Sequence, residues 1–95
     1  MKQPAVYIVT NKRNGTFYTG VTSNLIQRIY QHKEGVIESF TKKYECKYLV
    51  YYEVHETMEA EIARDKQIKD TKRKSKINLI KEMNPYWDDL YLKII

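Results

Sequence analysis

Apolar and polar positions alternate in a way that predicts two β-strands near the start of the chain. Residues 6–9 form an apolar run rich in β-branched side chains, and residues 16–22 are again β-prone. Between them lies Asn14-Gly15, the dipeptide most typical of a tight hairpin turn. The pattern therefore predicts a β-hairpin.

Two tyrosines of this hairpin are expected to share one face. A two-residue turn pairs position 7 with position 22 and position 11 with position 18. Side chains at directly opposed positions lie on the same side of a sheet. Tyr7 and Tyr18 would therefore point to the same side.

A helix is predicted directly after the hairpin. Ser23 or Asn24 offers an N-cap, and Gly35 is typical of a helix end. The apolar residues at helical spacing between them are Leu25, Ile26, Ile29 and Tyr30. Arg28 and His32 lie four residues apart, so they share an edge of this helix beside the apolar row. Two phenols, a guanidinium and an imidazole can then converge on one concavity, although strand packing and a solvated arginine would also explain these residues.

The rest of the chain predicts one more strand and two more helices. Residues 34–45 have few contiguous apolar positions, which is typical of a loop with a short turn around residues 40–44. Tyr48–Val54 is aromatic and β-branched and predicts a third strand. Lys72–Met83 predicts the last helix, which Asn84-Pro85 ends, and the apolar tail after it is expected to pack back with Trp87 as its anchor.

One acid breaks the apolar pattern of the helix that Thr57 is expected to cap. At 100° per residue, the apolar stripe of this helix consists of Met58, Ile62 and Ile68. Asp65 falls inside the stripe, where it requires a cationic partner, a metal ion or an open concavity. The candidate cations are Arg28, Arg64 and Lys69. Glu61 lies one turn earlier on nearly the same face.

Length and composition are those of one ordinary globular domain, residues 1–95. The charged fraction of 31% and the apolar fraction of 42% exclude a disordered chain. Cys46 is the only cysteine, which excludes a disulfide framework and a thiolate metal cluster. The sequence carries no signal peptide, membrane-length apolar run or lipidation motif, which favours the cytoplasm and no membrane partner.

The net charge of +5 favours a polyanionic partner such as DNA, although a small protein can also be basic for solubility alone. Residues 64–76 are the most basic stretch. The lysines and arginines expected to contact phosphate are Lys42, Lys43, Lys69, Lys72, Arg73, Lys74 and Lys76. The alternative is that these cations are simply solvated.

A spaced pair of tyrosine motifs resembles the GIY-YIG nuclease family. Three motifs follow the family order. The first is Ala5-Val6-Tyr7, the second, ten residues later, is Tyr18-Thr19-Gly20, and the third is Leu25-x-x-Arg28-x-x-x-His32. Further matching stretches, similar to small single-domain bacterial members, are residues 10–15, 40–44, 49–53, 66–69 and 84–87. The family includes catalytic domains of excision-repair and homing endonucleases. The resemblance implies an α+β fold with a small three-stranded antiparallel sheet flanked by helices.

The resemblance also implies metal-dependent hydrolysis of a DNA phosphodiester bond. Tyr7 would be the general base, with a phenol pKa lowered by Arg28 or by the metal. Tyr18 would orient water or phosphate, and Arg28 would bind phosphate and stabilise developing charge. His32 would carry a proton or bind phosphate, and Gly20 would leave room for close backbone approach.

Asp65 stands where the family has a metal-binding glutamate, three residues before Ile68-Lys69. By this resemblance it would hold one Mg²⁺ or Mn²⁺. Its side chain is one methylene shorter, which could weaken the metal site or transfer the role to Glu61. The family's late asparagine would be Asn78 or Asn84.

Two other functions stay open at the level of the sequence. A nucleic-acid-binding module without catalysis would keep the scaffold and lose metal competence, as the aspartate at position 65 suggests. A structural or protein-interaction domain would use the aromatic C-terminal tail as an interface. The first would bind DNA without Mg²⁺, and the second would not bind DNA at all.

Overall fold

The order of strands and helices matches the α+β prediction. The computed structural model describes residues 4–13, 15–36 and 40–95, apart from the side chains of residues 40 and 41. Within these residues the elements are β1 (Ala5–Thr10), β2 (Phe17–Thr22), α1 (Leu25–Glu34), α2 (Phe40–Lys43), β3 (Tyr48–Val54), α3 (Met58–Lys69), α4 (Arg73–Met83) and α5 (Tyr91–Ile94). No helix in the described part of the chain is long and apolar enough to cross a membrane.

The sheet is antiparallel, with β1 in the middle and β2 and β3 at its edges. Every residue of β1 is buried. This explains its continuous apolar run, since a central strand covered on both faces has no solvent side. The three predicted strands are confirmed, and β3 has the predicted bounds.

The two faces of the sheet carry separate core clusters, because successive residues of a strand point to opposite sides. One face packs under α3 and α4, and its buried cluster consists of Val6, Ile8, Val50, Tyr51, Ile68 and Ile80. The other face packs under α1 and α5, and its buried cluster consists of Tyr7, Val9, Ile29, Cys46, Leu49 and Leu90. The two motif tyrosines belong to this second face.

The hairpin register differs from the predicted one by two residues. Tyr7 pairs with Gly20, and Thr10 pairs with Phe17, so residues 11–16 form the connection. The two-residue turn was wrong because the Asn11 side chain accepts a hydrogen bond from the Thr16 backbone N–H at 3.0 Å, which closes a wider loop. Asn14 itself lies outside the described residues. A shift of two keeps every side chain on its face, so Tyr7 and Tyr18 still share one.

Helix α1 has the predicted ends. Its N-cap is Asn24, whose side chain accepts from the Gln27 backbone N–H at 3.2 Å. Gly35 ends it in the left-handed conformation, at φ 67°. Between the strands, residues 37–39 of the predicted loop lie outside the described residues, and α2 corresponds to the predicted short turn.

The apolar stripe expected on α3 is wrong for Met58 and Ile62 and correct for Ile68. Met58 and Ile62 are 49% and 56% exposed, whereas Glu61 and Ile68 are buried. Thr57 caps the helix as predicted, through a hydrogen bond from the Ala60 backbone N–H. The inward face is polar because Arg64 reaches Glu53 on β3, with contacts of 2.9–3.0 Å.

The C-terminal segment packs back on the domain, as expected. Helix α4 begins one residue later than predicted, because Lys72 is its N-cap. The Trp87 ring stacks on Phe17 with centroids 5.7 Å apart, and Leu90 is buried. Not every apolar residue of this segment is buried, since Tyr86 is 82% exposed.

Candidate active site

Two motif residues meet in the interior, Tyr7 from β1 and His32 from α1. The Tyr7 hydroxyl oxygen lies 2.8 Å from Nε2 of His32, and both side chains are almost fully buried. Tyr18 packs against this pair, with its ring centroid 6.4 Å from that of Tyr7 and 6.0 Å from that of His32. The charge of Arg28 acts on both Tyr7 and His32. The four predicted catalytic residues therefore lie together.

The local sequence explains why these side chains converge. Val9 is paired with Tyr18, and Tyr7 lies two residues before Val9, so all three face the same side of the sheet. Ile29 is buried in the same cluster as Tyr7 and Val9, which anchors α1 over this face. One turn after Ile29, His32 then points at the Tyr7 hydroxyl.

Gly20 lies opposite Tyr7 in the hairpin and accommodates the phenol ring. A Cβ atom at position 20 would lie 2.7 Å from the Tyr7 hydroxyl oxygen and 2.9 Å from Cε2 of Tyr18. Both distances are too short for carbon contacts. The glycine of the second motif is therefore required by the tyrosine of the first.

Burial raises the pKa of Tyr7 above its ordinary value, and the neighbouring Tyr18 raises it further. The positive charge of Arg28 and its hydrogen bond to Tyr7 act in the opposite direction. The prediction that the Tyr7 pKa is lowered is therefore wrong, because the pKa is raised overall. Arg28 acts as expected, but desolvation of the buried phenol outweighs it.

His32 is neutral near pH 7. Burial lowers the pKa of His32 to about 4, and the charge of Arg28 contributes in the same direction. A neutral imidazole has one nitrogen with a free lone pair, so Nε2 can accept the Tyr7 hydroxyl proton when the ring hydrogen is on Nδ1. The Tyr7 hydroxyl can therefore donate its hydrogen bond to the neutral imidazole.

Asp65 on α3 lies near enough to this site for its charge to contribute to the raised pKa of Tyr7. Its Oδ2 atom lies 2.9 Å from the Lys69 ammonium, so Lys69 is the partner among the three candidate cations. Its Oδ1 atom is buried without a hydrogen-bond partner. An unpaired buried carboxylate oxygen is a suitable ligand for a hard cation.

Glu61 is fully buried, and neither of its carboxylate oxygens meets hydrogen-bond geometry. Burial raises the pKa of Glu61, although the nearby Ala5 backbone N–H partly opposes the rise. Across residues 4–13, 15–36 and 40–95, no group of three or more His, Cys, Asp or Glu could hold a metal ion. Mg²⁺ is often held by one or two carboxylates with water and substrate phosphate, which Asp65 can satisfy.

A basic cleft of about 590 Å³ runs beside β2, which we call the β2 cleft. Its lining residues are Gly15, Thr16, Phe17, Tyr18, Thr19, Lys69, Arg73 and Lys76. The Arg73 guanidinium lies 4.2 Å from the centroid of the Phe17 ring and also donates to the Gly15 carbonyl oxygen. Three of the predicted phosphate-binding cations thus share a cleft with Tyr18.

The other predicted phosphate contacts lie elsewhere. Lys72 and Lys74 are exposed near the start of α4 and do not line the β2 cleft. Lys42 and Lys43 are exposed on α2, where the Lys43 ammonium lies 5.4 Å from the centroid of the Tyr44 ring. These four lysines do not line the cleft that contains Tyr18.

Neither candidate asparagine contacts the Tyr7–His32 pair. Asn84 is buried, and its amide donates to the Val50 and Asp88 carbonyl oxygens at 3.2 and 2.7 Å. It therefore fixes the turn after α4. Asn78 is exposed and lines a separate pocket beside Arg64.

The sequence interpretation missed the polar network under α3. Glu53 accepts from Arg64 and from the Tyr51 hydroxyl, and His55 lies 3.1 Å from its carboxylate. Tyr51 and Glu53 alternate along β3, and His55 follows its last residue, so the three lie on one face; this is the signal that could have revealed the network. This network orients α3 and hence Asp65.

Comparison with known proteins agrees with the motif geometry. The sequence profile of the GIY-YIG catalytic domain matches residues 3–78. UPF0213 proteins from Staphylococcus aureus strains Mu50, N315 and MW2 are each 36% identical over 77 residues, which is 81% of this chain and 93% of the relative. No solved structure matches the chain significantly. The chain therefore belongs to the GIY-YIG catalytic domain family of nucleases.

Proposed function

We propose that this protein is a divalent-metal-dependent DNA endonuclease that hydrolyses phosphodiester bonds, with Mg²⁺ or Mn²⁺ as the metal. The observation that carries the proposal is the buried hydrogen bond of 2.8 Å between Tyr7 and His32. A phenol bonded to a neutral imidazole, beside an arginine and an acid with an unpaired oxygen, has the groups that phosphodiester hydrolysis requires.

Tyr7 and His32 act together as the general base. The Tyr7 oxygen takes a proton from the attacking water while the Tyr7 proton passes to Nε2 of His32. The phenol does not ionise beforehand, because its raised pKa and the lowered pKa of His32 both oppose proton transfer in the resting site. The proton moves only as the water becomes acidic on bonding to phosphorus. The water oxygen bonds to phosphorus, the bond to the leaving sugar oxygen breaks, and that oxygen takes a proton from solvent. His32 then returns its proton to solvent, because burial and Arg28 disfavour the imidazolium.

Arg28 and Tyr18 hold the phosphate. A guanidinium can donate two parallel hydrogen bonds to the non-bridging oxygens and stabilise their charge in the transition state. The Tyr18 hydroxyl orients the water or the phosphate. Tyr18 also lines the β2 cleft, whose cations Lys69, Arg73 and Lys76 contact the neighbouring phosphates.

Asp65 is the residue that would hold the metal. A divalent cation there would supply Lewis-acid stabilisation of charge on the phosphate oxygens. To hold it, Asp65 would exchange its ion pair with Lys69, and the Lys69 ammonium would then be available to the substrate. Glu61 is fully buried, so it is the poorer candidate ligand.

The test is cleavage of supercoiled, single-stranded and branched DNA with Mg²⁺ or Mn²⁺. We expect Tyr7→Phe, Arg28→Ala and Asp65→Asn to lose cleavage and to retain DNA binding. Tyr30→Phe, an exposed tyrosine on α1, is the matched control and should cleave normally. A wild-type protein that binds DNA and never cleaves it with either metal contradicts the proposal.

The ion pair between Asp65 and Lys69 favours one alternative, a nucleic-acid-binding module without catalysis. In that case DNA affinity is the same with EDTA and with Mg²⁺, and the wild type does not cleave DNA. Asp65→Glu separates the two functions. If this variant gains cleavage, the shorter aspartate side chain explains why the wild type does not cleave.

A further inference from the structure

A second cleft, which we call the Tyr44–Tyr48 cleft, lies outside the candidate active site. Its volume is about 360 Å³, and it is lined by Asn11, Lys12, Tyr44, Glu45, Lys47 and Tyr48. Tyr44 and Tyr48 are 40% and 48% exposed. Neither ring belongs to a core cluster, so core packing does not explain them.

The charge around this cleft is predominantly positive. Lys12 and Lys47 line it, and the Lys43 ammonium lies 5.4 Å from the centroid of the Tyr44 ring. The Lys33 ammonium lies 5.6 Å from the centroid of the Tyr48 ring and is paired with Asp89. Glu45 is the acidic residue in the lining. Lys12, Lys43 and Lys47 therefore outnumber the acid Glu45 around the two rings, which suits a polyanionic ligand.

The Tyr44–Tyr48 cleft and the β2 cleft flank the same connection, residues 11–16. Asn11 and Lys12 line the former, and Gly15 and Thr16 line the latter. The Cys46 thiol lies 3.6 Å from the Thr16 carbonyl oxygen, which ties the two sides together. A strand held in the β2 cleft can therefore continue across this connection to the second cleft.

Exposed aromatic rings among lysines are typical of sites for unpaired nucleotides. The rings stack on successive bases, and the ammonium groups contact the phosphates between them. Duplex DNA keeps its bases stacked inside, so it cannot use such rings. We infer that the Tyr44–Tyr48 cleft binds unpaired nucleotides of a strand that also occupies the β2 cleft, so that the substrate of the proposed endonuclease has a single-stranded part.

Fluorescence anisotropy with labelled oligothymidylate and with a duplex of equal length tests this inference, in EDTA and at about 50 mM salt. We expect Tyr44→Ala and Tyr48→Ala each to weaken single-strand binding by about 5- to 100-fold, because a stacking partner is lost. Duplex affinity should change less than twofold. Tyr48→Phe keeps the ring and should bind normally.

Tyr86→Ala is the matched control, because Tyr86 is 82% exposed and lies outside the cleft. A photocrosslinking 5-iodouracil oligonucleotide provides a positional readout, with adducts expected on Tyr44 or Tyr48. Unchanged single-strand affinity in both alanine variants, crosslinks confined to other residues, or no single-strand binding by the wild type overturns the inference.

The outcomes also separate this inference from the proposed function on which it rests. A wild type that cleaves duplex DNA, together with normal single-strand binding by both Tyr44→Ala and Tyr48→Ala, overturns the inference alone. A wild type that never cleaves, together with weakened single-strand binding by Tyr48→Ala, supports the cleft and overturns the nuclease function.

Discussion

A buried imidazole with a pKa of about 4 makes the stability of this fold sensitive to acid. The unfolded chain binds a proton at His32 near pH 6.5, whereas the folded chain does so only near pH 4. Between these values the unfolded state holds more protons, so stability falls as the pH falls and the loss is complete near pH 4. The shift corresponds to about 3 kcal/mol.

Urea unfolding of the wild type and of His32→Gln at pH 7.5 and pH 4 measures this contribution. The wild type should lose about 3 kcal/mol more than the variant over this interval. Other groups that titrate contribute equally to both proteins, so the difference isolates His32. Equal losses in the two proteins would show that His32 is not desolvated.

Gly20 is the second residue on which the site depends. Gly20→Ala places a Cβ atom 2.7 Å from the hydroxyl oxygen of Tyr7, whose buried ring cannot move away. We expect a loss of about 1–3 kcal/mol in unfolding free energy, typical of an overpacked core, together with loss of cleavage.

Gly35→Ala is the comparison for this substitution. Gly35 has φ 67° and no atom within 4 Å of an added Cβ, so alanine strains only the backbone there. It should cost about 1 kcal/mol and leave cleavage intact. If Gly20→Ala also kept its activity, the close approach of Tyr7 would not be required for the site.

Among the helices, α3 is held by polar contacts as well as by the buried Ile68. Burial would raise the pKa of Glu53, but hydrogen bonds from Arg64 and Tyr51 lower it, which reflects a carboxylate that is well paired. We expect a double-mutant cycle with Arg64→Leu and Glu53→Gln to give a coupling energy of about 1–3 kcal/mol, measured by urea unfolding. Lys66→Leu, at an exposed position of the same helix, should show no coupling to Glu53→Gln.

The elements show which features a sequence can predict. Strand β3 and the two ends of α1 follow from local signals: a β-branched run, an asparagine cap and a terminal glycine. The inward face of α3 does not follow from local signals. Met58 and Ile62 recur at helical spacing, but this spacing does not show whether they face the core or the solvent. The rotation of this helix follows from distant contacts, namely the pairing of Arg64 with Glu53 and the burial of Ile68.

The same distinction applies to the candidate site. The motif spacing predicts that Tyr7, Tyr18, Arg28 and His32 lie together, since strand alternation and one helical turn determine their directions. The raised pKa of Tyr7 could not be predicted, because desolvation depends on the complete burial of the ring. The Tyr44–Tyr48 cleft is likewise formed by residues distant in the chain.

For the whole molecule, the positive charge predicts how DNA affinity depends on salt. Each cation that contacts a phosphate releases counterions, so its removal reduces the slope of log Kd against log salt by about 1. Arg73→Ala and Lys76→Ala in the β2 cleft should each show this reduction for duplex DNA. Lys74→Ala, an exposed neighbour outside the cleft, should leave the slope unchanged. Equal slopes for all three variants would place the duplex elsewhere.

The position of β2 at the edge of the sheet has a consequence for how copies of the protein behave toward one another. An edge strand is a template for pairing with a strand of another molecule, and lysines beside it oppose this by charge repulsion. Lys69, Arg73 and Lys76 stand beside this edge. The cations proposed to bind DNA therefore also oppose edge-to-edge aggregation of the free protein. Bound DNA would neutralise these cations, but it would itself cover the edge of β2.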